Sequence, residues 1–311
     1  MFNICNLFRT VTTDQLLNQL SVTISDRDHP AMEKCFNKLK ENCDLSARLH
    51  SNGKLLSYAY WSHYQSEDYY KHQPDFLAMI WLMEEGIRPE VAEYPRLSMF
   101  RIAYNRNNLS LLHILMWFES DDCALEEKLC IDSDELIVFR RSLMYQAASQ
   151  AREDFTEARR LIKLAEEQKQ SQAFAEAVAN YLAAADYCLK YEVIEREATE
   201  VDPRKAPVQQ FFQEKVAYCR RQARASLQQI DAAYCMQGEA VAGRHKAVLE
   251  QLASQSQLLG DSYNQRAYQA RAKRIIVPEL TDPGPLVAED ALVIGICAGD
   301  SAGDPVIVPA A

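Results

Sequence analysis

The fold is decided by the stretch Phe174-Ala-Glu-Ala-Val-Ala-Asn-Tyr-Leu-Ala-Ala-Ala-Asp-Tyr-Cys-Leu-Lys-Tyr191, which lies inside the longest part of the chain without a helix breaker. Proline is absent from 96 to 202, and glycine is absent from 87 to 237. Turns between strands depend on these two residues, so a long range that lacks both favours helices. The sequence therefore predicts an all-α fold.

Three segments around this stretch carry apolar side chains at helical spacing. They are Phe155–Lys169, Phe174–Tyr191 and Val208–Ile230. Short connections make consecutive helices antiparallel neighbours, which predicts a three-helix bundle. The acidic run 192–202 is expected to be the loop before the third helix. With a helical extension up to Arg274, the bundle is assigned to residues 134–274.

A second pattern, upstream of the bundle, is a repeat with a fixed period. The segment Phe76–Gly86 recurs 33 residues later as Leu109–Glu119. Gly86 is predicted to end its helix with a positive φ angle, which glycine adopts without strain. One helical face also repeats upstream, formed by Met32, Cys35, Phe36 and Leu39. The pattern predicts helical hairpins over residues 1–125.

The repeats resemble ankyrin repeats over roughly residues 13–122. Lys54-Leu-Leu-Ser-Tyr-Ala59 occupies the position of the family's T-P-L-H-x-A helix, and 97–103 occupies it less well. The Thr-Pro and His of the motif are missing, and an insertion lies near 62–73. The resemblance implies stacked repeats with a concave binding surface. Another kind of helical hairpin array is the alternative.

The bundle resembles a MIT (microtubule interacting and trafficking) domain over about residues 150–231. The residues that carry this resemblance are Ala165–Gln168, Phe174–Ala184, Tyr187–Glu192 and Lys215–Ala225. The resemblance implies that a groove beside the third helix binds helical tail motifs of ESCRT-III subunits. A tetratricopeptide-like scaffold and an unrelated bundle are the alternatives, because tetratricopeptide helices share the Ala/Tyr spacing.

A local excess of positive charge marks a candidate partner-binding surface. Between 204 and 224 there are six cations and one acid, Glu214, in a chain of net charge −10. We predict that an acidic amphipathic helix binds in a trough of small residues with a basic rim. The alternative is that acids at 192–200 neutralise these cations. The candidate binding residues are Lys215, Arg220, Arg221, Arg224 and Ala184, with Tyr64, Tyr69 and Tyr70 of the insertion as aromatic anchors.

Composition argues against several other functions. A net charge of −10 disfavours nucleic-acid binding, and only Gly53 and Gly86 precede position 238, so no glycine-rich phosphate loop can form. The six histidines show no metal-ligand spacing, and the nine cysteines are odd in number and dispersed. We predict no catalytic residue, metal, cofactor, small-molecule substrate or membrane-spanning segment. A cryptic enzyme with a Cys/His or acidic active site is the alternative.

The remaining predictions concern location and the C-terminal part. Dispersed, reduced thiols are typical of a cytoplasmic protein. The mixture of divergent eukaryotic-type modules is also typical of a bacterial effector secreted into the host cytosol. Residues 275–311 contain six acids and no Lys or Arg, and we predict a flexible acidic tail.

Overall fold

The structure is a computed structural model and describes residues 13–41, 55, 59, 74–88, 99–119, 124–129, 138, 140–237 and 241–277. Helices account for 87% of these residues, and no strand occurs among them. The predicted all-α fold is thus confirmed. None of the described helices is long and apolar enough to cross a membrane. Nearly all of the predicted tail, from residue 278 onward, lies outside the described residues.

Eleven α-helices and one short 3-10 helix, Pro203–Lys205, occur in the described part of the chain. The α-helices are α1 Thr13–Ser25, α2 His29–Lys40, α3 Phe76–Glu84, α4 Met99–Asn105, α5 Leu109–Phe118, α6 Leu125–Lys128, α7 Leu143–Gln170, α8 Phe174–Val201, α9 Ala206–Gln237, α10 Ala242–Leu258 and α11 Ser262–Arg274. They belong to two compact units. The first unit comprises residues 1–167 and 180–220, and the second comprises residues 168–179 and 221–311.

Three helical hairpins share one turn of two residues. The turns are Arg27-Asp28, Asn107-Asn108 and Gly260-Asp261. The first residue of each pair has a positive φ angle, of 54°, 53° and 73° respectively. The second residue caps the next helix, because its side-chain oxygen accepts a hydrogen bond of 3.1 Å from the backbone N–H three positions later. One local device therefore closes α1–α2, α4–α5 and α10–α11.

The 33-residue repeat is reproduced in the register of α3 and α5. Asp75 and Asn108, 33 positions apart, each accept a 3.1 Å hydrogen bond at the start of their helix. Gly86 follows α3 with a φ angle of 99°, as predicted. After α5 the chain differs, since Glu119 is extended with φ −65° and ψ 156°. The second copy of the repeat therefore lacks the left-handed terminator of the first.

One hydrophobic core runs through the first unit. It contains buried side chains from α1 to α9, so it continues across the predicted boundary between 125 and 134. Its centre is aromatic. Phe155 lies 5.4 Å from Trp117, 4.3 Å from Tyr191 and 5.4 Å from Phe212, measured between ring centroids. Such ring pairs stabilise beyond their buried area.

The predicted apolar stripes of the bundle are buried, but one boundary was wrong. In α9 all six residues of the predicted stripe are buried, namely Phe211, Phe212, Val216, Cys219, Ala223 and Leu227. The acidic run 192–202 was expected to be a loop, yet α8 continues to Val201. No helix breaker precedes Pro203, and Glu195 within this run is buried against His113. The glutamates are therefore part of a helix that packs in the core.

The second unit contains the α10–α11 hairpin and the C-terminal part of α9. Its buried side chains include Val248, Leu249, Leu252, Tyr268 and Ala272. The apolar residues of α10 recur every three or four positions, which is the spacing of one helical face. Most other residues of α11 are exposed, and they include three of its four cations.

Candidate functional site

Lys215, the first predicted binding residue, is occupied by a contact within the first unit. Its Nζ lies 2.9 Å from Oε1 of Glu84 and 4.6 Å from the centroid of the Phe211 ring. Glu84 is the last residue of α3, 131 positions earlier in the chain. Lys215 therefore links two helices of its own unit by an ion pair and a cation–π contact.

Arg224 is likewise paired within the second unit. Its Nη1 lies 2.9 Å from Oδ2 of Asp261, the residue that caps α11. Hydrogen bonds from Asn264, and with a smaller effect the Arg224 guanidinium, hold the pKa of Asp261 below its ordinary value. Arg224 thus stabilises the start of α11, and its charge is compensated.

The remaining predicted cations are more accessible. Arg220 is half-buried. Burial raises the pKa of the Asp186 carboxyl above its ordinary value, and the Arg220 guanidinium partly opposes this increase. Arg221 is exposed, and no ion pair to it is seen among the described residues. Arg204, also part of the positive cluster, pairs with Asp202 at 2.8 Å. Much of the positive charge between 204 and 224 is therefore neutralised by acids of the same chain, and these acids are not the glutamates at 192–200.

Ala184 does not line an accessible trough. Its side chain is 0% exposed and packs with Leu161, Ala185 and Cys219 inside the first unit. Ala177, another small residue of α8, is also fully buried. The prediction that these residues contact a partner needs correction, because the small side chains serve close helix packing within the bundle. Tyr64, Tyr69 and Tyr70 lie outside the described residues.

A free basic face occurs instead on α11. The helix contains four cations and no acid in the sequence SYNQRAYQARAKR. Arg266, Lys273 and Arg274 are exposed, and no ion pair to them is seen in the described part of the chain. Tyr263, one turn before Arg266, is 81% exposed. The excess of cations at this point is visible in the sequence, but their accessibility is not.

A cluster of a thiol, an imidazole and a carboxylate lies in the same unit. His245 Nε2 is 2.7 Å from Asp231 Oδ1 and 3.8 Å from Cys235 Sγ, and the thiol is 3.9 Å from the same carboxylate oxygen. Arg271 donates to both oxygens of Asp231, at 2.9 and 2.8 Å, and its Nη2 lies 3.6 Å from the sulfur. Cys235 is exposed, whereas His245 and Asp231 retain 15% and 12% side-chain exposure.

The geometry of this cluster differs from that of a nucleophilic thiol. In a Cys-His-acid relay, the thiol and the acid face opposite ring nitrogens. Here both Cys235 and Asp231 approach Nε2 of His245. The sequence contains one local indication of the cluster, the i, i+4 spacing of Asp231 and Cys235 on one face of α9. The third and fourth members come from α10 and α11, which spacing alone could not reveal.

A buried ion-pairing contact occupies the core of the first unit. His113 Nδ1 lies 2.6 Å from Glu195 Oε1, with 2% and 1% side-chain exposure. The His113 ring also meets Tyr191 edge-on, with centroids 4.9 Å apart. His113 lies inside an apolar helix, where a buried imidazole requires a hydrogen-bonding partner. Glu195 is that partner.

No family model matches this chain, and neither the curated proteins nor the solved structures contain a significant match to it.

Proposed function

We propose that this protein is a protein–protein interaction adaptor that binds an acidic amphipathic helix through the basic face of α11. The observation that carries the proposal is the set of three exposed cations, Arg266, Lys273 and Arg274, on a helix without any acid. In a chain of net charge −10, such a face attracts a negatively charged partner.

The contacts of α9 explain why the binding face is assigned to α11. Lys215 and Arg224 already neutralise acids of their own unit, so a partner would have to break these pairs. Arg221 keeps an accessible charge and can contribute at the rim. Tyr263 supplies an exposed aromatic side chain on α11, the residue type that most often anchors interfaces.

The class of partner comes from the resemblances of earlier parts of the chain, and the proposed face on α11 lies outside the residues that carry them. MIT domains bind helical tail motifs of ESCRT-III subunits, and ankyrin or tetratricopeptide arrays bind peptides on stacked helices. We therefore propose a trafficking protein of the ESCRT type as the source of the acidic helix. The proposed setting is the cytoplasm, or the host cytosol if the chain is a bacterial effector.

The test is a titration of the full chain with labelled acidic helical peptides from ESCRT-III tails, followed by fluorescence anisotropy. We expect Arg266→Glu plus Lys273→Glu to weaken binding about tenfold, because reversed rim charges slow association. The matched control is Arg160→Glu plus Lys163→Glu, which changes the net charge equally on exposed positions of α7. Arg220→Glu plus Arg221→Glu tests the surface originally predicted on α9.

Each outcome has a definite meaning. A large loss in the α11 variant with little change in the α7 control supports the proposal. Equal losses in both variants would show that only the overall charge matters, and would overturn the assignment to α11. Absence of binding by every peptide would overturn the proposed partner class.

A further inference from the structure

The Asp231, Cys235 and His245 cluster has no part in the proposed binding face, and its chemistry is that of a metal site. The three ligand atoms all lie within 4.8 Å of one another. A thiol, an imidazole and a carboxylate together form the ligand set that proteins use for zinc. A histidine–carboxylate pair without a thiol also occurs in this chain. His29 and Asp75, for example, form such a pair at 2.8 Å in the first unit.

We propose that Asp231, Cys235 and His245 bind one zinc ion, with water as the fourth ligand. Two ligands come from one face of α9 and the third comes from the first turns of α10, so the ion would fasten these helices together. Cys235 is exposed, which gives the ion a path from solvent and leaves room for water. Three protein ligands with an open position are characteristic of accessible zinc sites.

The distances fit a tetrahedral ion after a small movement. Zinc bonds of about 2.3 Å to sulfur and about 2.0 Å to nitrogen or oxygen place neighbouring ligand atoms roughly 3.3–3.5 Å apart. The sulfur already lies 3.8 and 3.9 Å from the other two atoms. Only the 2.7 Å contact between His245 and Asp231 must open, because a hydrogen bond is shorter than a ligand–ligand edge.

Arg271 acts as the competing cation. Its Nη2 contacts both Asp231 Oδ1 and Cys235 Sγ, which are two of the three proposed ligand atoms. Zinc must displace this nitrogen, while the bond from Arg271 Nη1 to Asp231 Oδ2 can remain and orient the carboxylate. The guanidinium therefore fills the cation position in the metal-free protein and lowers zinc affinity by occupancy and by charge repulsion.

Binding includes one proton transfer. The S–H bond of Cys235 breaks, its proton passes to solvent, and a bond forms between the sulfur and zinc. His245 binds through its neutral Nε2 atom.

The experiment uses the full chain, reduced and treated with a chelator. Co²⁺ is added first, because a thiolate ligand gives a characteristic charge-transfer absorption band in the near ultraviolet. Zn²⁺ is then titrated against a chromophoric chelator. The variants are Cys235→Ser, His245→Gln and Arg271→Gln. The matched control is His29→Gln, which removes a similar histidine–carboxylate contact without a thiol, and circular dichroism verifies that each variant is folded.

We expect Cys235→Ser to remove the cobalt band and weaken zinc binding by at least about tenfold, with a similar loss for His245→Gln and none for His29→Gln. Arg271→Gln should tighten zinc binding about fivefold, because one competing ion pair is lost. An unchanged cobalt band in a folded Cys235→Ser chain would show that other cysteines bind the metal, and would overturn the site. An Arg271→Gln chain that binds zinc no more tightly would overturn the displacement. Peptide binding is tested separately with variants of other residues, so either proposal can be overturned while the other stands.

Discussion

At the scale of single residues, the fold depends on polar groups that are buried in pairs. His113 and Glu195 come from α5 and α8 and are almost completely removed from water. Oε2 of Glu195 has no hydrogen-bond partner among the residues that the structure describes. An ionisable group in such a place is tolerated only while its partner is present, because a lone buried charge is poorly solvated.

We predict that His113→Leu lowers the free energy of unfolding by about 3 kcal/mol, because it leaves Glu195 without its partner. The double variant His113→Leu plus Glu195→Leu should recover most of this loss, since two apolar side chains replace the pair. Urea unfolding of wild type, both single variants and the double variant measures the cycle. A double variant as unstable as the two single losses combined would show that the residues act independently.

Thiol chemistry follows burial at the same scale. The described cysteines, Cys35, Cys188, Cys219 and Cys235, are free thiols, and only the last is exposed. Burial raises the pKa of Cys219 to about 12 and raises that of Cys188 well above its ordinary value. A buried thiol with a high pKa is unreactive, because the thiolate is the nucleophile.

We predict that iodoacetamide labels Cys235 in the native protein and leaves Cys188 and Cys219 unmodified until the chain is unfolded. Peptide mapping by mass spectrometry gives the extent of labelling at each position. Metal should be removed beforehand, because zinc at the proposed site would protect Cys235. Equal labelling of Cys219 and Cys235 under native conditions would contradict the burial of α9.

At the scale of helices, the end of α3 depends on one glycine. Gly86 donates to the Met83 carbonyl at 3.0 Å, and Ile87 donates to the Leu82 carbonyl at 3.2 Å. This Schellman motif places Ile87 in the core with 0% exposure. The left-handed conformation between these two bonds strains any β-branched residue.

We predict that Gly86→Val destabilises the protein by about 1 kcal/mol or more, measured as a lower denaturant midpoint. Gly243→Ala is the matched control. Gly243 lies in the first turn of α10, and a Cβ atom added to it would contact only Cγ1 of Val277, at 3.8 Å. The control should be neutral or stabilising by up to about 1 kcal/mol, because alanine favours helix. An unchanged midpoint for Gly86→Val would mean that the turn is not constrained as described.

The short helix α6 is fastened by an acid whose titration affects stability. Glu126 accepts hydrogen bonds from Arg140 at 2.9 Å and Tyr145 at 2.8 Å. The Arg140 bond, then a backbone bond and the Tyr145 bond, lower the pKa of Glu126 from 4.5 to about 2. Because the pKa is lower in the folded state, the stabilisation is complete above pH 4.5 and is lost as the pH falls towards 2.

We therefore predict that Glu126→Gln is less stable than wild type at neutral pH, and that the difference disappears near pH 2. Urea unfolding over this pH range gives the difference directly. Glu157→Gln serves for comparison, because it removes the ion pair between Glu157 and Arg160. The two side chains are 36% and 58% exposed, respectively. It should have a smaller effect. A constant difference at every pH would exclude titration of Glu126 as the cause.

The sequence predicted the elements better than their contacts, and the reason is the range of each interaction. The register of α3 and α5 and the Gly86 turn depend on neighbours within a few residues, so periodicity revealed them. Lys215 pairs with Glu84 across 131 positions, and His113 pairs with Glu195 across 82. Ala184 illustrates the ambiguity of small residues, because an alanine stripe can face a partner or a neighbouring helix. Only the three-dimensional structure distinguishes these cases.

At the scale of the whole molecule, charge is distributed unevenly along the chain. Residues 221–274 contain eight Lys or Arg and four Asp or Glu, a net charge of 8 − 4 = +4. Residues 275–311 contain six acids and no cation, a net charge of −6. The proposed basic face of α11 is therefore followed directly by a segment that contains only negative charges. By Coulomb attraction alone, the carboxylates of this segment and an acidic partner of the proposed kind would compete for the same cations.

We predict that removing residues 278–311 increases the association rate of an acidic helical peptide several-fold at low salt. The deletion removes six negative charges and changes the net charge from −10 to −4. The gain should vanish at high ionic strength, because the Debye length falls to about 3 Å at 1 M salt. Stopped-flow fluorescence at two salt concentrations measures both effects. A full-length variant in which the six acids of this segment are changed to Asn or Gln removes the charge and keeps the length. We expect it to increase the association rate as much as the deletion does. If only the deletion accelerates binding, the tail slows association by steric obstruction. Competition between its carboxylates and the acidic peptide for the cations of α11 is then not the cause.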